Sequence, residues 1–289
     1  MSKALLLDYF ELCKPKVVFL MIITSLVGMC LAISSDSSSS LIKLITANIG
    51  ITLVSFAAAV FNHVADQHID KLMHRTKNRP IAVGKISKKN SLIFAIFLCS
   101  VGMFVLIYFV NTLTALLSFF ALVGYAVFYT LYLKHATSQN IVIGGLAGAS
   151  PPLLGWTSIT GSISYEAIIL TLIIFVWTPP HFWALAIHRV EDYAKAKIPM
   201  LPNTHGVNFT KLNIVLYTII LFCVSLLPFI IKMSGILYLC AALAANFVFL
   251  YYALKLYFSD NNSYAFKTFK ISVYYLGFIF LFLLLDHYN

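Results

Sequence analysis

Asn62, Asp66 and Asp70 stand four residues apart at the end of a long apolar run. On a helix this spacing puts all three on one face, each step rising ~6 Å along the axis. Two carboxylates so close repel each other; nearby lysines could offset that repulsion, and a bound divalent cation would do so better. Carboxylate and amide oxygens suit Mg²⁺, which usually completes its shell with water and substrate phosphate oxygens. Lys71, Arg75, Lys77 and Arg79 follow directly and supply positive charge for further anionic oxygens. A solvated helix end, with Asp and Lys facing water and headgroups, would also account for the motif alone. Ionisable residues at the edge of a membrane span favour the functional reading.

A second polar segment shifts the balance. Thr178-Pro179-Pro180-His181-Phe182-Trp183 lies within another apolar run, which ends at His188-Arg189-Val190-Glu191-Asp192. His188 and Asp192 are again four apart, so the pattern predicts a shared helical face. Two acidic clusters on parallel helices could bracket one diphosphate with its metal ions. The proline pair predicts a kink that could open a cavity or serve packing alone.

The elements that must position these residues are membrane helices. Of 289 residues, 61% are hydrophobic and 10% charged, against roughly 25% charged in a soluble domain. The mean hydropathy is +0.90. Spanning helices of ~20 mostly apolar residues are expected near 16–33, 41–62, 91–110, 112–132, 140–158, 165–188, 211–231, 233–256 and 269–286. The second helix should continue to about residue 70. The expected class is therefore all-α: a polytopic bundle of about nine transmembrane helices, forming a single domain over 1–289.

Charge placement tests that count. With the N-terminus in the cytoplasm, 18 of the 20 Lys and Arg fall in cytoplasmic segments, leaving only Lys43 and Lys232 outside. This is the positive-inside pattern, and one miscounted central helix would spoil it. The net charge of +10 is accordingly a topology signal. It is dispersed among helix ends, unlike the footprint of a nucleic-acid-binding module, so no nucleic-acid partner is expected. The five cysteines have no paired ligand spacing and read as small apolar residues. The serine-rich stretch at 34–40 reads as a polar outer turn. No cleavable signal or transit segment is evident, which favours a bacterial inner membrane. Gly144, Gly145, Gly148 and Ala149 suggest a close helix-packing surface.

Asn62-x-x-x-Asp66-x-x-x-Asp70 followed by a basic loop resembles the first motif of the UbiA-type intramembrane prenyltransferases. His74-Arg75-Thr76-x-x-Arg79-Pro80, the segment from Thr178 to Trp183, and Asp192-Tyr193-x-x-Ala196-x-Ile198-Pro199-Met200-Leu201-Pro202 resemble the haem-modifying branch of that superfamily. The likeness runs over nearly the whole chain in motif order. It implies transfer of a farnesyl group from farnesyl diphosphate to a vinyl group of haem B, with water added, to give haem O. It further implies Mg²⁺ as cofactor and membrane lipids as surroundings, with a haem A synthase or terminal oxidase downstream. Asn62, Asp66, Asp70 and Asp192 would hold the metal, with Asp66, Asp70 and Asp192 catalytic. Asn62, Arg75, Lys77 and Arg79 would contact diphosphate, as would His188, which stands where the superfamily usually has an acidic residue. His181 is the first candidate for contacting haem, although helix packing is an equal explanation of any single histidine. A prenyltransferase for a quinone precursor and a membrane transporter also fit the acidic motifs; clustering of acidic residues at one face favours an enzyme over a transport pathway.

Overall fold

A chain this apolar leaves its peptide groups no water to bond, so its spanning segments must close their hydrogen bonds internally. The computed structural model of the protein describes residues 3–33, 41–74, 76–260 and 262–289. Residues 34–40 and Arg75, both singled out above, lie outside the described residues. The described residues are helical throughout their ordered elements. α1 (Lys3–Leu12), α2 (Pro15–Ala32), α3 (Leu41–Ala65), α4 (Lys88–Phe109) and α5 (Thr112–Ala136) come first. α6 (Asn140–Ala149), α7 (Pro151–Thr160), α8 (Tyr165–His188) and α9 (Val190–Lys195) follow. α10 (Val207–Ser225), α11 (Ile236–Phe258) and α12 (Ala265–His287) complete the order.

Eight helices among the described residues are long and apolar enough to cross a membrane: α2, α3, α4, α5, α8, α10, α11 and α12. The chain is thus an all-helical, multi-pass membrane protein. The helix expected at 140–158 is instead the two ten-residue helices α6 and α7. Pro151 and Pro152 lack the N–H groups that would continue the ladder from α6, and proline is instead well suited to opening a new helix. Elsewhere the boundaries follow local chemistry. Asn111 accepts from the Thr114 N–H at 2.8 Å and separates α4 from α5.

The chain divides into two compact units. The first comprises residues 1–135 and 150–163. In it α3 packs along α4, with Gly50 against Leu106 and Gly102 against Val54. α2 packs on α7 at closer range still. A Cβ at Gly155 would stand 2.0 Å from the Ser25 carbonyl oxygen, and one at Gly28 would stand 2.3 Å from that of Pro152. Only glycine permits these backbones to meet.

The second unit comprises 136–149 and 164–289. Here α8 packs on α6, α10 and α12, while α11 packs on α10 and α12. α8 continues through Pro179 and Pro180 to His188. Gly145 meets the Thr178 side chain, where an added Cβ would lie at 3.1 Å, whereas Gly148 faces nothing within 4 Å. A closed polar network ties three helices together: Tyr238 OH donates to the Ser225 carbonyl (2.6 Å), Asn246 Nδ2 to Ser225 Oγ (2.8 Å) and Tyr275 OH to Asn246 Oδ1 (2.8 Å). Each of these groups is buried, so satisfying it matters more than its modest net gain.

Candidate active site

The first unit carries the acidic motif as expected. α3 ends at Ala65, Asp66 takes φ −82° and ψ 2°, and a single turn, Gln67–Asp70, follows. The helical hydrogen bonds persist across this break, from Asp66 N–H to Asn62 O (2.9 Å) and from Asp70 N–H to Asp66 O (2.8 Å). Asn62, Asp66 and Asp70 therefore keep a common face, and all three are buried.

Each carboxylate has a cationic partner. Lys134 Nζ lies 2.7 Å from Asp66 Oδ2. Arg79 Nη1 lies 2.8 Å from both oxygens of Asp70, whose backbone carbonyl accepts from Thr76 Oγ1 at 3.1 Å. Arg79, expected at a diphosphate, here bonds the Asp70 carboxylate. Lys77 is exposed.

Asn62 is oriented by its amide. Its Nδ2 donates to Asp66 Oδ2 and to Thr130 Oγ1, both at 3.0 Å, while Oδ1 accepts from Lys14 Nζ. Thr130 donates its own proton to the Tyr125 carbonyl, five residues back, at 2.8 Å. That reach belongs to a π-helical stretch, Gly124–Leu133, inside α5. π-helical turns are rare and frequent at functional sites. The extra residue per turn sets Thr130 and, just beyond it, Lys134 toward the acidic face.

Lys14 joins Thr130 and Lys134 as a contributor that the sequence does not single out. It sits immediately before α2 with φ 50°, a left-handed conformation that costs a non-glycine residue about 1–2 kcal/mol. Its Nζ also reaches Tyr125 OH at 3.4 Å. Burial, and then the Arg79 charge, lower its pKa to about 7, with Asp66 opposing that fall and Lys134 adding to it. Backbone strain and an unfavourably placed charge at one residue are what a binding site stores. The available signal was indirect: Lys14 and Lys134 both belong to the basic segments assigned to the same membrane face as Asp66.

The second unit holds the other candidates. Arg189 interrupts the helix after His188, with φ −115° and ψ 24°, and Asp192 lies in the first turn of the separate helix α9. The expected shared helical face of His188 and Asp192 is therefore not formed. His188 stacks on Phe266, with ring centroids 4.8 Å apart, while Asp192 accepts from Arg189 Nη1 at 3.4 Å. Glu191 is exposed. His181 is buried, its Nδ1 2.7 Å from Ser272 Oγ. Among the described residues, no three His, Cys, Asp or Glu side chains converge as a metal cluster. The oxygen donors on the Asn62, Asp66 and Asp70 face are two carboxylates and one amide, a set that suits Mg²⁺ with substrate oxygens and water completing the shell.

Residues 21–283 match the model of the UbiA prenyltransferase family. The chain is 57% identical to protoheme IX farnesyltransferase of Legionella pneumophila (strain Paris), over 97% of this chain and 95% of that protein. It is 58% identical to protoheme IX farnesyltransferase of Coxiella burnetii (strain RSA 331 / Henzerling II), over 97% and 92%. Among solved structures, a digeranylgeranylglyceryl phosphate synthase superposes with a TM-score of 0.82 at 21% identity, covering 98% of this chain and 99% of the other. A UbiA homologue from Archaeoglobus fulgidus bound to DMAPP and Mg²⁺ gives 0.70 at 16% identity, covering 96% and 99%. These two likenesses concern the fold; the family match and the near-full-length relatives carry the assignment. The chain belongs to the UbiA prenyltransferase family.

Proposed function

We propose that this chain transfers the farnesyl group of farnesyl diphosphate to a vinyl group of haem B and yields haem O. The observation that carries this reading is the near-full-length similarity to protoheme IX farnesyltransferases. The acidic face of the first unit supplies chemistry of the right kind. Breaking the C–O bond of farnesyl diphosphate leaves the electron pair on diphosphate and positive charge on the allylic carbon. The vinyl π electrons form the new C–C bond, the charge moves to the carbon beside the pyrrole, and a water oxygen adds there and loses a proton. No oxidant or reductant is needed.

Asn62, Asp66 and Asp70 would hold Mg²⁺ in this scheme, and Asp192 is assigned to the metal set by family resemblance alone. The metal, when bound, neutralises charge on the departing diphosphate. Lys14, Lys134 and Arg79 act from the protein side. An arriving diphosphate opposes the burial and the Arg79 repulsion that lower the Lys14 pKa, and holds its ammonium protonated. Lys134 and Arg79 exchange carboxylate partners for phosphate oxygens, stabilising the charge that develops on the leaving group.

Lys134→Met should lower turnover by roughly 10–10²-fold, since it removes a charge partner of both Asp66 and diphosphate. Lys134→Arg should recover part of that loss in a steady-state assay. Wild-type turnover in Lys134→Met would remove Lys134 from the site.

The charge pattern supports an N-terminus and acidic site on the cytoplasmic side of a bacterial inner membrane. It requires the 140–160 segment to complete one crossing. A haem A synthase or terminal oxidase would consume the product. Acceptor choice is tested by offering haem B and a quinone precursor together with farnesyl diphosphate and Mg²⁺. Prenylation of haem alone is expected, and prenylation of the quinone precursor alone would overturn the acceptor assignment.

A further inference from the structure

α8 and α12 carry a run of rings that the prenyl-transfer chemistry of the acidic face does not use. His181 packs against Trp177, with centroids 4.1 Å apart and planes at 21°, and against Phe269 at 4.6 Å and 30°. Phe269 stacks on Phe266 at 5.9 Å, and Phe266 on His188 at 4.8 Å. Phe266 and Phe182 are 36% and 37% exposed, so the run reaches the surface of the unit.

The hydrogen bonds around His181 settle its tautomer. Ser272 Oγ donates its only proton to the Phe269 carbonyl at 2.7 Å. It must then accept from His181, so Nδ1 carries the imidazole proton and Nε2 carries a lone pair. Trp177 Nε1 donates to the Ser272 carbonyl at 2.7 Å and fixes the same residue from its backbone side. His181 is 8% exposed, and its Nε2 has no protein hydrogen bond among the described residues. A histidine whose Nδ1–H is anchored and whose Nε2 is open is the arrangement that prepares a metal ligand.

The surroundings match one metal-bearing partner. Lys267 and Lys270 stand at the start of α12 over the rings of Tyr264 and Phe266, ~3–8 Å of helical rise from Ser272. A flat aromatic macrocycle with an iron at its centre and carboxylates at one edge is complementary to a histidine, aromatic rings and two lysines in that order.

We infer that His181 Nε2 is the axial ligand of the acceptor haem iron, with Ser272 as the positioning residue that holds its tautomer. The inference rests on haem B being the acceptor. Lys267 and Lys270 are placed to take the propionates.

The test uses the purified full-length chain in detergent, titrated with ferric haem B in the absence of farnesyl diphosphate. Absorption and electron paramagnetic resonance report the iron's ligands. The wild type should bind haem with a histidine-ligand signature. His181→Ala should lose that signature and regain it on addition of imidazole. Ser272→Ala should weaken haem binding by roughly 10–100-fold, and Ser272→Thr, which keeps the hydroxyl, should restore it. If His181→Ala proves poorly folded, His181→Gln, which can still bond Ser272, must lose the signature in a well-folded chain. A wild-type spectrum in either His181 variant would overturn the ligand assignment while leaving haem transfer standing. No haem binding by the wild type would overturn both.

Discussion

Asp66→Asn and Asp70→Asn should each reduce farnesyl transfer by at least ~10²-fold while the chain remains inserted in the membrane. Removing one preorganised electrostatic partner from a site of developing charge typically costs that much. Here each substitution does two things at once. It replaces a charged oxygen pair of the metal set with a neutral amide that keeps one oxygen, and it strands a cation that the carboxylate now neutralises: Lys134 at 2.7 Å from Asp66, and Arg79 at 2.8 Å from Asp70. Breaking a buried ion pair from one side costs ~3–5 kcal/mol, so both variants should also melt earlier. Thermal shift separates the two effects. Mg²⁺ with a non-reactive prenyl diphosphate should stabilise the wild type through binding linkage and leave both variants unmoved. Full activity in both variants would remove the metal from this face.

Gly155→Ala should be the most damaging small substitution in the first unit. Its new Cβ would stand 2.0 Å from the Ser25 carbonyl oxygen and 2.8 Å from the carbonyl carbon. Both are backbone atoms, so no side chain can turn away and α2 must separate from α7. Overpacking of this kind costs about 1–3 kcal/mol or more. Gly28→Ala, at 2.3 Å from the Pro152 oxygen, should behave alike. Gly148→Ala is the control: with nothing within 4 Å, it should be neutral or gain up to ~1 kcal/mol of helix propensity. Melting temperature in detergent ranks the three. Because α2 begins at Pro15, next to Lys14, the damaging pair should lower turnover as well. An unshifted Gly155→Ala would refute the close crossing.

These residues also mark how far the sequence could be read. The acidic face was legible because four-residue spacing survives the local break at Asp66, where the helical hydrogen bonds bridge the interruption. The same spacing misled at His188 and Asp192, because periodicity carries no sign of the turn at Arg189 that ends α8. The Gly144–Ala149 run did point to packing through Gly145, whereas the tightest crossings fall at Gly28 and Gly155, isolated glycines with no motif around them. Likewise, composition gave no sign that residues 124–133 adopt π-helical turns. Without that register, Thr130 and Lys134 could not be assigned to the acidic face. Lys14 reads from the sequence only as one of the cytoplasmic basic residues, since its contact with Asn62 joins residues 48 positions apart.

Haem farnesyl transfer is tested by the mass of the haem recovered after incubating membranes containing the chain with haem B, farnesyl diphosphate and Mg²⁺. A species heavier than haem B by the elements of farnesol is expected with the wild type and not with Asp66→Asn. Unmodified haem B from folded, membrane-inserted wild-type protein would contradict it.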